Sequence, residues 1–260
     1  MAVTLLGFPW DGSSSYARGA AHGPAVIRSI LGSEASSPYS IGGVDYRDVI
    51  AAYDFEGLPS DGDDARTAIS KRTEAAFKTG KPLSLGGDHS VTYPILRAMR
   101  DATGPVNILH IDAHTDLYEE FEGDPYSHAS PFARAIEDGC IKTLVQVGLR
   151  SIGPAQRAFG EQHGVVMLGA EEQNAIPYER LVDPLYISID LDGLDPAFAP
   201  GVSHPEPGGL STREVLAILK NLRASPAGAD IVEYNPERDT GLMTAHVVAR
   251  LVKELAALMT

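Results

Sequence analysis

Short apolar runs recur along the chain, and stretches with one polar and one apolar face separate them. Runs of this kind bounded by turn residues read as strands, and apolar positions three and four apart read as helices. The pattern predicts strands over Val3–Phe8, Pro82–Leu85, Val106–Asp112, Thr143–Gly148, Val165–Leu168, Pro184–Leu191 and Ala229–Glu233. Between them it predicts helices over Asp63–Thr79, Val91–Asp101, His128–Asp138, Thr212–Leu222 and Thr240–Leu258. The last helix should dock through Met243, Val247, Leu251, Leu255 and Leu258, which share one stripe. Strands alternating with helices make a mostly parallel sheet covered on both faces. No repeat, low-complexity tract or long linker interrupts the pattern, so one domain over residues 1–260 is expected.

With 43% hydrophobic and 22% charged residues, the composition is that of a soluble globular protein. The formal net charge of −14 disfavours nucleic acid and anionic membrane surfaces, both polyanions, and suits cationic substrates or bound metals. No apolar run approaches the ~20 residues that span a bilayer. The opening "MAVTLLGFPWDG" lacks a basic stretch and breaks at glycine and proline, so no secretory signal and a cytoplasmic home are expected. A single cysteine, Cys140, excludes an internal disulfide and a thiolate-based zinc site.

Chemistry gathers where the apolar runs stop. "PLSL" runs into "GGDHS", "VNILHI" into "DAHTD", "LYISI" into "DLDGLDP" and "ADIV" into "EYNP". In an open parallel sheet, ligands collect at the carboxyl ends of the strands. Asp112, His114 and Asp116 stand at i, i+2 and i+4, which in extended chain points them to one face, and Asp190 and Asp192 share that spacing. Each cluster alone is equally a solvated loop or a helix cap, and Asp88 and Ser90 especially suit caps. Four together, dense in negative charge, need something positive bound among them. His89, Asp112, His114, Asp116, Asp190 and Asp192 supply four carboxylates and two imidazoles, too many for one ion and suited to two with shared aspartates. An oxygen-rich site without thiolates favours Mn²⁺, and a pair of such ions can acidify a water between them. His22, His110, His163, His204 and His246 have weaker claims; His204 lies in the long loop "DPAFAPGVSHPEPGG" and is at best a neighbour of the site.

At these residues the chain resembles the ureohydrolase family of arginases, agmatinases and their relatives. The resemblance is carried by "GGDHS", "DAHTD", "SIDLDGLDPAFAPG" followed by "EPGGLS", and "VEYNP", with "GFPWDGSSSYARGAAHGPAVIR" near the start. It implies a three-layer α/β/α fold around a parallel eight-stranded sheet, two Mn²⁺ per chain, and hydrolysis of a guanidino C–N bond to release urea. One ion would take His89, Asp112, Asp116 and Asp190, and the other Asp112, His114, Asp190 and Asp192, with Asp112 and Asp190 bridging. His128 of "YSHAS" matches the family's proton-shuttling histidine, and Glu233 of "VEYNP" its guanidinium-binding glutamate. Both are candidate catalytic and substrate-binding residues, with Asp116 the third catalytic candidate. Assembly as a homo-oligomer, a trimer or hexamer, is also implied.

The substrate turns on the segment after "DAHTD". Here it reads "LYEEFEGDPYSHAS", and Glu119, Glu120, Glu122 and Asp124 would repel a carboxylate and welcome an amine wherever they face the pocket. That favours agmatine over arginine, with guanidinobutyrate behind. "FEGDPYSHASPFARAIEDG" and "VEYNPERDTGLMTA" resemble plant-type arginases instead and favour arginine; weighing the two, agmatine is expected first and arginine next. A formimidoylglutamate hydrolase, holding two carboxylates, fits the acidic segment poorly. A non-catalytic subunit has no need of all six metal-type residues.

Overall fold

Adjacent apolar residues on the central strands turn to opposite faces, and each face is covered by helices. The computed structural model describes residues 2–260. Its strands are β1 (Val3–Gly7), β2 (Ile50–Asp54), β3 (Lys81–Leu85), β4 (Val106–Ile111), β5 (Ile141–Leu149), β6 (Val166–Gly169), β7 (Leu185–Asp190) and β8 (Gly228–Val232). They form one all-parallel sheet in the order β2-β1-β3-β8-β7-β4-β5-β6.

Eight α-helices accompany the sheet among the described residues: α1 (Gly23–Leu31), α2 (Tyr46–Val49), α3 (Gly62–Phe77), α4 (Thr92–Thr103), α5 (Pro131–Glu137), α6 (Pro154–Gln162), α7 (Thr212–Lys220) and α8 (Met243–Leu258). On one side, Leu5, Leu109, Ile187 and Ile231 pack with Ile27 of α1, Ile218 of α7 and Leu251 of α8. On the other, Leu6, Ile108, Tyr186 and Val232 meet Ile69 of α3, Leu96 of α4 and Phe132 of α5. The period-two alternation of a strand buried on both faces thus divides the apolar side chains between two cores. The α/β/α architecture is the expected one.

Three expectations need correction. The apolar pattern marked seven strands and missed β2, an edge strand whose short apolar run is exposed at Ala51, Ala52 and Tyr53 and lacks the runs of branched aliphatic residues found in the central strands. It also missed α1, α2 and α6; α1 and α6 open with proline in the first turn, and α6 contains Gly160. On α8, Met243 is exposed and Val247 and Leu258 are half-buried, while Val248, Leu251, Val252 and Leu255 face the sheet. The true stripe is rotated from the expected one because Ala245, Ala249 and Ala256 are buried with it and bring the helix close.

Since every strand runs the same way, every carboxyl end lies on one edge of the sheet. The four central neighbours β3, β8, β7 and β4 are the strands whose ends carry His89, Glu233, Asp190 and Asp112.

Candidate dinuclear metal centre

His89 opens a short 3-10 turn (His89–Val91) capped by Asp88, whose side chain accepts from Ser90 N at 3.1 Å and Ser13 N at 2.9 Å. The ring is fully buried, and Nδ1 stands 2.9 Å from Asp116 Oδ2, 3.2 Å from Asp190 Oδ2 and 3.3 Å from Asp112 Oδ2. Nε2 lies 3.0 Å from Ser188 Oγ, which donates its hydrogen to Asp230 Oδ1 at 2.6 Å. Ser188 therefore accepts from His89, placing the ring hydrogen on Nε2. Nδ1 then presents a lone pair to three carboxylate oxygens and has no hydrogen-bond partner. Acceptors converging in a dry site need a positive charge between them, a proton or a metal ion.

His114 repeats the arrangement: its Nδ1 is 3.1 Å from Asp192 Oδ2 and 3.4 Å from Asp112 Oδ1. Asp112 offers Oδ2 on the His89 side and Oδ1 on the His114 side. Asp190 turns Oδ2 toward His89, while its Oδ1 accepts from Asp192 N at 2.9 Å. Burial, then Asp192 and Asp112, push the Asp190 carboxyl well above the ordinary carboxylate range. Burial, followed by Asp112, raises Asp192 to about 6. These donors, all oxygen and imidazole nitrogen, fit two divalent cations.

The three residues of "DAHTD" do not converge through extended chain. β4 ends at Ile111, His114 bridges to Ser151, and Asp116 takes a left-handed φ of 51°. Glu233 has the same unusual backbone, φ 64°. Non-glycine residues held there cost of order 1–3 kcal/mol each, and both aim carboxylates into the site.

Above the carboxylates opens a cavity of about 570 Å³, lined among others by His114, Asp116, His128, Asp190, Asp192 and Glu233. Glu233 Oε1 accepts from His89 N at 2.9 Å; Oε2 is buried and unpartnered. Burial first, then Asp190 and Asp88, hold its carboxyl above the usual range, as suits an acid awaiting a cation. His128 is not at a helix start as expected: it lies three residues before α5, its Nε2 2.8 Å from Ser15 Oγ and its Nδ1 3.7 Å from Glu233 Oε1. Burial lowers its pKa, which favours the neutral ring.

Two residues of the wall were undervalued by sequence reasoning. His204 stacks on His128, centroids 5.2 Å apart and planes 18° apart, and so borders the cavity. Arg150 also lines it, but its guanidinium donates to the carbonyls of Gly148, Asp192 and Glu206 at 2.7, 2.5 and 2.5 Å and fastens the long loop to the strand ends. His110, two residues before Asp112 on a strand, shares that residue's face; this spacing was the overlooked signal. Its Nε2 is 2.8 Å from Asp112 Oδ2. His22, by contrast, pairs at the surface with Glu237, and His246 is exposed.

The acidic segment does not form the wall expected of it. Glu119, Glu120 and Glu122 are exposed, and beside them Tyr118 and Phe121, not these acids, line the cavity.

A family model described as "Arginase family" matches residues 1–257. The chain belongs to the arginase family. It is 44% identical over 98% of its length to "Arginase 1, mitochondrial" of Arabidopsis thaliana, covering 80% of that protein. It is 36% identical over its whole length to the guanidinopropionase of Pseudomonas aeruginosa, covering 87% of it. The solved structure of the arginase from Medicago truncatula superposes with a TM-score of 0.91 at 40% identity, covering 99% of this chain and 87% of that one. As an arginase-family member the chain is a ureohydrolase, a metal-dependent amidinohydrolase of guanidino compounds. Two expectations fall here. The plant arginase relatives weigh against the lean toward agmatine. Their mitochondrial and chloroplastic names overturn the expected cytoplasmic location. No helix among the described residues is long and apolar enough to cross a membrane.

Proposed function

We propose that this chain is an arginase, hydrolysing arginine to ornithine and urea. The observation that carries the reading is the 44% identity to a plant arginase across 98% of the chain. It is supported by a cavity wall to which Glu119, Glu120 and Glu122 contribute no lining, so these acids do not stand where an α-carboxylate would contact them. Arginine and guanidinopropionate both end in a carboxylate, and agmatine does not.

In this reading His89, Asp112, Asp116 and Asp190 hold one Mn²⁺, and Asp112, His114, Asp190 and Asp192 the other. Bound there, the pair would supply Lewis acidity and lower the pKa of a water used in the hydrolysis. Glu233 receives the guanidinium on its unpartnered Oε2, for which a carboxylate's two oxygens are geometrically suited. Hydrolysis breaks the bond between the guanidinium carbon and the alkyl nitrogen, which leaves as an amine and needs a proton. His128, largely buried with its Nε2 turned to the exposed Ser15, would relay it: Nδ1 gives up a hydrogen while Nε2 takes one from solvent through Ser15. Asp116, with Oδ2 2.9 Å from His89 Nδ1, would complete the catalytic set as a ligand of the first ion. The same relatives support an organellar setting, and the family resemblance supports a homo-oligomer, a trimer or hexamer.

Urea release from arginine and agmatine by the Mn²⁺-loaded chain tests the assignment. Faster release from arginine at equal low concentration is expected; faster release from agmatine overturns it.

A further inference from the structure

Behind Asp112 runs a line of buried polar groups that reaches no substrate. Gln146 of β5 is fully buried, and its Nε2 lies 2.7 Å from the Thr115 carbonyl oxygen and 2.9 Å from His110 Nδ1. A carbonyl only accepts, so the amide NH₂ must face Thr115, and this sets the orientation of the whole amide. The second amide hydrogen then points to His110, whose Nδ1 accepts it. The imidazole must therefore carry its own hydrogen on Nε2, the atom 2.8 Å from Asp112 Oδ2. His110 donates to the carboxylate through one nitrogen and is engaged by Gln146 through the other. Although it clusters with His89 and Asp112 as a ligand-type side chain, neither nitrogen is left for an ion. The ring is also held in place by Phe132, centroids 4.1 Å apart.

We propose that Gln146 and His110 are positioning residues for the metal centre. Gln146 sets the tautomer of His110. By donating to Oδ2, His110 turns Asp112 so that one oxygen faces His89 and the other His114. The inference rests on reading Asp112 as the ligand shared by both ions. Hydrogen bonds behind metal ligands typically govern metal affinity by about 10–100-fold.

The test uses the full chain, stripped with a chelator and titrated with Mn²⁺ while free ion is counted by electron paramagnetic resonance. Wild type should take two ions. Gln146→Leu, similar in length but without donors, and His110→Phe should still take two, each about 10–100-fold more weakly, while the metal-free chain keeps a single cooperative melting transition a few degrees below wild type. Turnover should recover at saturating Mn²⁺. In wild type itself, long-range ¹⁵N–¹H spectra of histidine-labelled protein should place the His110 hydrogen on Nε2, its signals assigned by their loss in His110→Phe. Unchanged affinity in Gln146→Leu beside a two-ion wild type overturns this proposal alone, as does a hydrogen on Nδ1. Loss of one ion outright in His110→Phe makes it a ligand and likewise overturns it. A wild type holding fewer than two ions overturns the dinuclear reading itself, and this proposal with it.

Discussion

Ser15 Oγ lies 2.8 Å from His128 Nε2 at the cavity mouth, while the other ring nitrogen stands 3.7 Å from Glu233 Oε1 deeper in the site. One imidazole thus connects the solvent side with the acid proposed to receive the guanidinium. A proton relay requires both contacts, whereas a packed histidine requires neither.

His128→Ala should therefore keep both metals while kcat falls by about 10²–10⁴-fold, with partial recovery on adding imidazole. Ser15→Ala removes one hydrogen bond and should lower kcat by no more than about tenfold. Steady-state kinetics with elemental analysis of each variant checks the pair; unchanged turnover in His128→Ala would leave the ring a wall residue only.

The aspartates proposed to be shared make a sharper test of the centre. Asp112 shows one oxygen to His89 and one to His114, so Asp112→Ala should release both ions, and the proposed bridging role of Asp190 demands the same of Asp190→Ala. Chelation should abolish wild-type activity and Mn²⁺ should restore it. Elemental analysis finding two tightly held metals in Asp190→Ala would remove that residue from the bridge.

Most of this centre was legible before any coordinates, and for a physical reason. Parallel strands end on one edge, and an acid or histidine that closes an apolar run cannot avoid that edge, so "GGDHS", "DAHTD" and "DLDGLDP" disclose their meeting. What stayed hidden depends on contacts between distant segments. Ser15 reaches His128 across 113 positions, and Gln146 reaches His110 across 36. β2 escaped because its short run, Ile50-Ala51-Ala52-Tyr53, carries little of the bulky aliphatic pattern that marks the buried central strands. Glu119, Glu120 and Glu122 misled for the opposite reason: charge is visible in a sequence, but the direction a loop side chain takes is not.

His204 gives the site a pH signature in stability. Burial first, then the neighbouring His128 and His114, lower its pKa from 6.5 to about 4. The unfolded chain then takes up a proton that the folded chain refuses between those values. Stability from this residue is complete above pH 6.5 and is lost as pH falls toward 4. Melting temperature followed from pH 7 to pH 4 should fall less steeply in His204→Gln than in wild type. Parallel curves would mean that the folded ring protonates as readily as the unfolded one.

The substrate prediction concerns charges that should not matter. Had Glu119 and Glu120 faced the cavity, a like charge ~6 Å away at an effective dielectric of about 20 would repel the arginine carboxylate enough for about a hundredfold in kcat/KM. They are exposed instead, and that stretch meets the cavity through Tyr118 and Phe121. Exposed charges are screened over roughly 8 Å at physiological salt, so little of their field should reach the site. The double variant Glu119→Gln with Glu120→Gln should therefore leave the arginine-to-agmatine ratio of kcat/KM within about twofold of wild type, at low and high salt alike. Tyr118→Ala or Phe121→Ala should change the ratio more, because these rings line the cavity itself. A ratio that rises tenfold or more in the glutamine variant, and only at low salt, would return the acidic segment to the pocket and agmatine to contention.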